Sequence, residues 1–281
     1  MIFKMLTDTK VKELAQMANT IRQDIIEMLV EAGSGHTAGP LGMADVFALL
    51  YFHILSHRPE QPDWAGRDRL VLSNGHICPV QYAAMARSGY FSIGELATLR
   101  KFNSRLQGHP HREYLPGVEV SSGPLGSGLG QAVGMALADR MDVGAASDKF
   151  FYCLLGDGEL NEGVVWESAM HAGKEKLHNL IGIIDRNDIQ IDGFTHDVMP
   201  LEPLKSKWES FGWHTQEVSG HDFEELNSAI ELAQNVNDKP SMIIAITVPG
   251  KGVSEIERKP EWHGKPPTKE EGERFLKELK N

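Results

Sequence analysis

Gly156-Asp157-Gly158 follows the apolar run 150–155 and joins backbone freedom to a carboxylate. Two glycines let a chain approach an anion closely with N–H groups free, and Asp157 between them can hold a hard cation. A second apolar run, 180–185, ends at Arg186-Asn187. Aspartate and asparagine oxygens, with a phosphate to share the coordination, suit Mg²⁺ or Ca²⁺ better than zinc. The chemistry suggested is a metal-bound phosphate. The plainer alternative makes Gly-Asp-Gly a strand-ending turn and Asn187 a loop residue.

Four histidines are the other candidates for chemistry: His36 within Gly-Ser-Gly-His-Thr-Ala-Gly-Pro-Leu-Gly, His76 within Ser-Asn-Gly-His, His109 within Gly-His-Pro, and His263 within Glu-Trp-His-Gly. All four sit at turns or in glycine-rich loops. Taken alone, His36 and His263 read sooner as local loop residues than as catalytic ones, and His76 as readily as a helix-start residue. The glycine run 123–130 invites a dinucleotide reading, but Gln131 stands where the third glycine of G-x-G-x-x-G belongs. Gly250-Lys251-Gly252-Val253 lacks the remaining positions of a P-loop.

Positioning such residues requires rigid elements. The runs 70–72, 150–155, 180–185 and 242–248 read as strands buried on both faces, and 214–218 as an alternating strand. Helical periodicity covers 8–32, capped by Asp8, then 43–55, 78–87, 131–141, 161–176, a segment capped by Asp222 with Glu225 completing a box-like start, and a charged, surface helix over 268–280. Ser92 to Glu95 has capping-box spacing and predicts a short helix ending near Phe102. Residues 33–42 are expected to be a shaped loop. Strands alternating with helices predict one α/β domain over 1–281, a doubly wound, mainly parallel sheet with helices on both faces. A right-handed strand-helix-strand unit puts both strand ends on one edge, so Asp157 and Asn187 converge. The helix at 161 then points its N-terminus at the Gly156–Gly158 turn, which favours a phosphate there.

Gly-Asp-Gly, a helix, a second strand, Asn187 and Ile189-Gln190-Ile191-Asp192-Gly193 together resemble the thiamine diphosphate signature in its transketolase form. Ser-Gly-His followed by Gly-Pro-Leu-Gly, the run DRLVLSNGH, Gly-His-Pro, Pro-Gly-Val-Glu, Gly-Pro-Leu-Gly-x-Gly and Glu-Trp-His-Gly occur in the transketolase order from about 33 to 264. Thr37 stands where many relatives carry Pro. The resemblance implies thiamine diphosphate with Mg²⁺ held by Asp157, Asn187 and the carbonyl of Ile189. It implies diphosphate contacts from His76, His263, Gly156 and the N–H of Gly158, and cofactor-ring contacts from Gly123 and Leu125. His36, His109 and His263 would face substrate oxygens, and Glu162 and Glu167 would lie near a subunit interface and take part in catalysis by linking the two active sites through protons. The implied reaction moves a two-carbon ketol unit from a ketose phosphate to an aldose phosphate, the chemistry of the pentose phosphate pathway, with the cofactor as electron sink.

The family's pyrimidine-binding and C-terminal domains have no counterpart in the sequence. The chain therefore resembles the first subunit of a split transketolase, expected to join a C-terminal partner subunit in an α2β2 heterotetramer. A non-catalytic cofactor-binding or regulatory subunit is the alternative, as is a transketolase for an unusual sugar phosphate or sulfosugar. Arg112 and Arg186 are candidates for tuning that choice.

The 281 residues are 41% apolar and 24% charged, the composition of a soluble globular protein. A net charge of −11 argues against nucleic acid or an anionic membrane as the main partner. Two cysteines, Cys78 and Cys153, suggest no disulfide framework, and the first residues carry no apolar leader, so a cytoplasmic location is expected.

Overall fold

The computed structural model describes residues 6–144 and 147–280. The first five residues, read above for a leader, lie outside them. Helix α1 (Asp8–Ala32) comes first, and its cap is Thr7, whose hydroxyl accepts from the Lys10 N–H. Asp8 sits one residue inside, where its charge meets the positive end of the helix instead of capping it. Gly33 ends the helix at φ 61°, a left-handed conformation that costs glycine least.

The segment expected to be loop closes with a helical turn, α2 (Ala38–Gly42), and α3 (Ala44–Leu49) follows. Pro40 lies in the first turn of α2, where its missing N–H forfeits no helical bond. The helix expected to reach residue 55 stops being α at Leu49 and widens over Leu50–Ile54. Then come β1 (Arg69–Leu72), α4 (Cys78–Ser88), α5 (Ser127–Val143), β2 (Phe151–Gly156), α6 (Gly163–Glu175) and β3 (Leu180–Arg186). A small hairpin, β4 (Ile189–Gln190) and β5 (Gly193–Phe194), leads to α7 (Thr195–Val198) and α8 (Leu204–Ser210). The chain ends with β6 (His214–Ser219), α9 (Phe223–Gln234), β7 (Ser241–Ile246) and α10 (Lys269–Leu279).

Five strands form one sheet in the order β1-β2-β3-β7-β6, every pair parallel. Side chains alternate between two cores. Tyr152, Leu154, Ile181 and Ile183 join one cluster with α1, α3, α4 and α9, while Phe151, Cys153, Leu155 and Ile184 join another with α5, α6 and α8. Both faces are covered, which is why these strands read as continuous apolar runs. The doubly wound α/β arrangement is thus as expected. Cys78 and Cys153 are free and buried. Among the described residues no helix is long and apolar enough to cross a membrane.

Three local expectations differ. Ser92 makes no cap bond, because Glu95 instead takes a two-pronged ion pair from Arg105 at 2.8 Å, and only a 3₁₀ segment forms over Ile93–Thr98. Asp222 caps α9, but the carboxylate of Glu225 accepts from the Ser219 N–H, so the reciprocal half of a box is missing. Helix α10 has a true capping box between Thr268 and Glu271, and it is more than a surface helix, since it buries Phe275 and Leu279.

Candidate functional site

At the carboxyl ends of β2 and β3 a cleft of about 290 Å³ collects residues from distant parts of the chain. His36, His76, His109 and His263 line it together with Asp157 and Asn187. Gly123, Leu125, Gly156, Gly158 and Ile189 line it as well. Glu162 and Glu167 do not; both are exposed, Glu162 at the cap position of α6 and Glu167 within that helix. Arg112 is exposed and absent from the cleft wall.

One end of the cleft is acidic. Asp157 is 1% exposed, and its carboxylate accepts from Gly158 N–H at 2.7 Å, Asp188 N–H at 2.7 Å and Arg186 Nη1 at 2.8 Å. The expected free N–H at Gly158 is therefore engaged by Asp157 itself. Helix α6 also starts later than expected, because a 3₁₀ turn over Gly158–Asn161 separates it from the Gly-Asp-Gly turn. Asn187 donates its Nδ2 to Asp185 at 2.7 Å, and its Oδ1 accepts from Ile189 N–H at 3.0 Å. Burial raises the carboxyls of Asp157 and Asp185 to about 6 and about 7, opposed by Arg186 at the first and by a Thr247 hydrogen bond at the second.

The other end is aromatic and neutral. The rings of His36 and His76 lie 4.8 Å apart, His76 and His263 5.2 Å, and His36 and His263 5.5 Å, the last pair edge to face. Burial first, then the neighbouring His263, lowers His36 to about 4; His76 falls well below the usual imidazole range by burial and by His36. His109 and His263 are lowered too, again by burial. The cluster is uncharged at neutral pH, so each ring offers one donor and one acceptor.

Sequence reading missed three positions that shape the cleft, Glu159, Asp185 and Asn74, and assigned Arg186 to substrate choice alone. Glu159, 2% exposed, accepts from Gly126 N–H at 2.6 Å, from Gly156 N–H at 3.0 Å and from the Ser73 hydroxyl, which in turn accepts from Gly128 N–H at 3.1 Å. One carboxylate thus ties three cleft loops together. Gly128 has no room for a side chain against Ser73, and Gly126 takes φ 82°, so these two glycines are required by packing and by conformation. Asp185 anchors Asn187, and Arg186 anchors Asp157. Asn74 is fully buried, lines the cleft and has no partner for either side-chain atom. The strand-ending position of Asp185 and Arg186 was the available signal; nothing local marked Glu159 or Asn74.

The residues fit a phosphorylated cofactor and its cation. His36 Nδ1, His263 Nδ1, Ser122 Oγ, Gln190 Nε2 and both polar atoms of Asn74 are buried without a hydrogen-bond partner. Native interiors rarely leave such groups unpaired, so a ligand with several polar atoms is called for. A carboxylate offers about four lone-pair sites, and Asp157 uses three, which leaves one for a cation. The Oδ1 of Asn187 likewise keeps a lone pair.

Fold and cleft together are those of an α/β cofactor-binding domain with its site at the carboxyl edge of the sheet. Residues 14–279 match the family model described as the transketolase, thiamine diphosphate binding domain. The chain belongs to the transketolase family, a family of enzymes. It is 43% identical over 267 residues to the 6-deoxy-6-sulfo-D-fructose transketolase subunit SqwG of Clostridium sp. (strain MSTE9), covering 95% of this chain and 96% of that one. It is 39% identical to an apulose-4-phosphate transketolase subunit from Phocaeicola vulgatus, covering 96% and 95%. The crystal structure of transketolase from Campylobacter jejuni superposes with a TM-score of 0.89 at 40% identity, covering 96% of this chain and 42% of that one. The chain therefore spans nearly all of two subunit relatives and less than half of a longer transketolase.

Proposed function

We propose that this chain is the diphosphate-binding subunit of a split transketolase that moves a two-carbon ketol unit from a ketose to an aldose, each with an anionic group at its far end. The observation that carries this reading is the cleft itself, where four neutral histidines, two of them with an unpaired ring nitrogen, face Asp157 and Asn187. The near-complete match to two chains named as subunits supports the split. The named substrates of those relatives, a sulfosugar and a sugar phosphate, support the anionic substrate class.

Asp157, Asn187 and the carbonyl of Ile189 hold Mg²⁺, with Ca²⁺ or Mn²⁺ as substitutes. His76 and His263 hold the diphosphate beside Gly156, the Gly158 N–H joins them when it is released from Asp157, and Gly123 and Leu125 flank the cofactor ring. When bound, thiamine diphosphate supplies the nucleophilic carbon and the electron sink. His36, His109 and His263 act as uncharged imidazoles that hold the ketol oxygens and move protons at them. The low-lying histidine pKa values keep them neutral, so they donate hydrogen bonds without placing cationic charge beside the cofactor.

The partner chain brings the pyrimidine-binding and C-terminal domains, and with them recognition of the anionic terminus. Glu162 and Glu167, exposed here, become covered in an α2β2 assembly. Purified alone, the chain should show negligible ketol transfer, and the product of a companion gene should restore it. Full activity of the lone chain would sink the split reading. Cofactor binding without activity in any assembly would favour a regulatory role.

A further inference from the structure

His36 and His263 each carry a buried Nδ1 with no hydrogen-bond partner, so no bond at that atom fixes either ring. Their placement depends on the loops that bear them. Those loops touch at several points. The Thr37 hydroxyl, beside His36, donates to the carbonyl of Lys265, two residues after His263, at 2.6 Å. Thr37 is completely buried. The Gly250 N–H donates to the Ala38 carbonyl at 2.8 Å, and a side chain at Gly42 would stand 2.9 Å from the Val248 carbonyl oxygen. Gly264 lies against the imidazole of His36, since a Cβ there would be 3.8 Å from Nε2.

Beneath this contact runs a polar chain whose Arg22 and Asp45 are buried and whose His221 is half-buried. Arg22 donates to the Leu41 carbonyl at 3.2 Å and to Asp45 Oδ2 at 2.6 Å, and the same oxygen accepts from His221 Nδ1 at 2.6 Å. His221 Nε2 then accepts from the Val248 N–H at 2.7 Å. One ring thus connects the base of the His36 loop to the start of the His263 loop, and the acceptor role of Nε2 fixes its tautomer as Nδ1–H.

We propose that Thr37, supported by the Arg22–Asp45–His221 chain, is the positioning residue that docks the His36 loop on the His263 loop and so sets the spacing of the two imidazoles. Thr37 touches neither cofactor nor substrate in this proposal. It acts through the backbone on either side of the cleft. A proline at this position would stiffen its own loop only, whereas the threonine hydroxyl couples two loops that are far apart in sequence. Displacement by about 1 Å of groups that hold a reacting substrate is enough to slow turnover.

The kinetic arm of the test rests on the ketol-transfer reading, and the exchange arm does not. Thr37→Val keeps the shape and removes the hydroxyl; Thr37→Ser keeps the hydroxyl. Losing a buried hydrogen bond and stranding its acceptor weakens a local contact enough to raise amide hydrogen exchange over 260–265 by about tenfold in Thr37→Val. Thr37→Ser should restore exchange to within about threefold of the parent, the scatter of such contacts. In the enzyme assembled with its partner, kcat should fall about tenfold or more in Thr37→Val. It should recover in Thr37→Ser, while calorimetric affinity for thiamine diphosphate stays within about threefold in both.

Equal exchange in the parent and Thr37→Val overturns the docking contact. Altered exchange with unchanged kcat overturns the positioning role. If the parent assembly shows no ketol transfer, the proposed function fails while the exchange comparison still decides the contact. Should Thr37→Val not fold, Thr37→Cys, whose thiol is a weak donor, carries the same comparison.

Discussion

The two ends of the cleft are built on opposite plans. At the acidic end nearly everything is paired: Asp157 has three donors, Asp185 is held by Thr247 and Asn187, and Glu159 gathers Ser73, Gly126 and Gly156. At the histidine end His36 and His263 each keep a buried ring nitrogen with no partner, and outside that cluster only Asn74, against Gly156, and Gln190, against Gly158, leave unpaired atoms on the described cleft wall. Each such atom costs about 1–3 kcal/mol until something satisfies it. The acidic end is thus organised before a ligand arrives, whereas the histidine end is completed by one. Preformed ligands at one end and unsatisfied groups at the other give a bound molecule both an anchor and a polarity.

Breaking the anchor should have the largest effect. Asp157→Ala removes the only carboxylate expected to hold the cation. Mg²⁺-dependent binding of thiamine diphosphate should weaken by about a hundredfold or more, since even outer partners of a metal are worth about tenfold to a hundredfold. Unchanged calorimetric affinity would mean the acidic end is not the anchor. At the other end, His36→Ala or His109→Ala in the assembled enzyme should lower kcat by about a hundredfold, the usual scale for a positioned acid-base group. Cofactor affinity should change far less. A mutant that loses affinity and keeps its turnover of bound substrate would reverse the assignment of the two ends.

The same contrast decides what the sequence could reveal. The acidic end lies almost wholly within 156–189, one strand-helix-strand unit, so its residue types and the topology rule for parallel strands suffice to bring Asp157 and Asn187 together. The paired strands, the covered sheet and most helix bounds follow from periodicity for the same local reason. His36, His76, His109 and His263 come from four separate loops, and only resemblance to a family joins them in advance. Glu159 escaped, and Arg186 was assigned to substrate choice and not to holding Asp157, because their contacts depend on partners such as Ser73, Gly126 and Glu202, which no local pattern associates with them. The failed box at Ser92 has a similar cause, since Arg105 competes for Glu95 from beyond the segment.

Glu159 ties the acidic end to the Ser73 and Gly126 loops and should show an intermediate effect. Glu159→Gln keeps the shape but replaces one acceptor with an NH₂ that must face Ser73 and Gly126, or Gly156. One or more buried N–H groups would then be unpaired, a loss of about 1–3 kcal/mol. Part of this should appear as lower melting temperature and part as an approximately tenfold weaker cofactor affinity, by the usual conversion. If melting temperature falls and affinity does not, Glu159 stabilises the fold without shaping the cleft.

The smallest effect, and the one that sets the two ends directly against each other, is in the pH dependence of stability without cofactor. His36 binds a proton near 6.5 when unfolded and only at about 4 when folded. Its contribution is therefore complete above 6.5 and drains away as pH falls towards 4. Asp185 has the opposite sign: with its carboxyl raised from 3.8 to about 7, its contribution is complete at low pH and drains as pH rises through that interval. His36→Asn should flatten the acid side of a melting-temperature profile, and Asp185→Asn the side approaching neutrality. A change of about 1 kcal/mol moves the midpoint of a chain this large by about 2–4 °C, which circular dichroism resolves. Mg²⁺ with thiamine diphosphate should remove the rising-pH loss, because the cation takes over the role of the proton at the acidic end. Profiles for both variants that run parallel to the parent would show that neither end is held in the protonation state assigned to it.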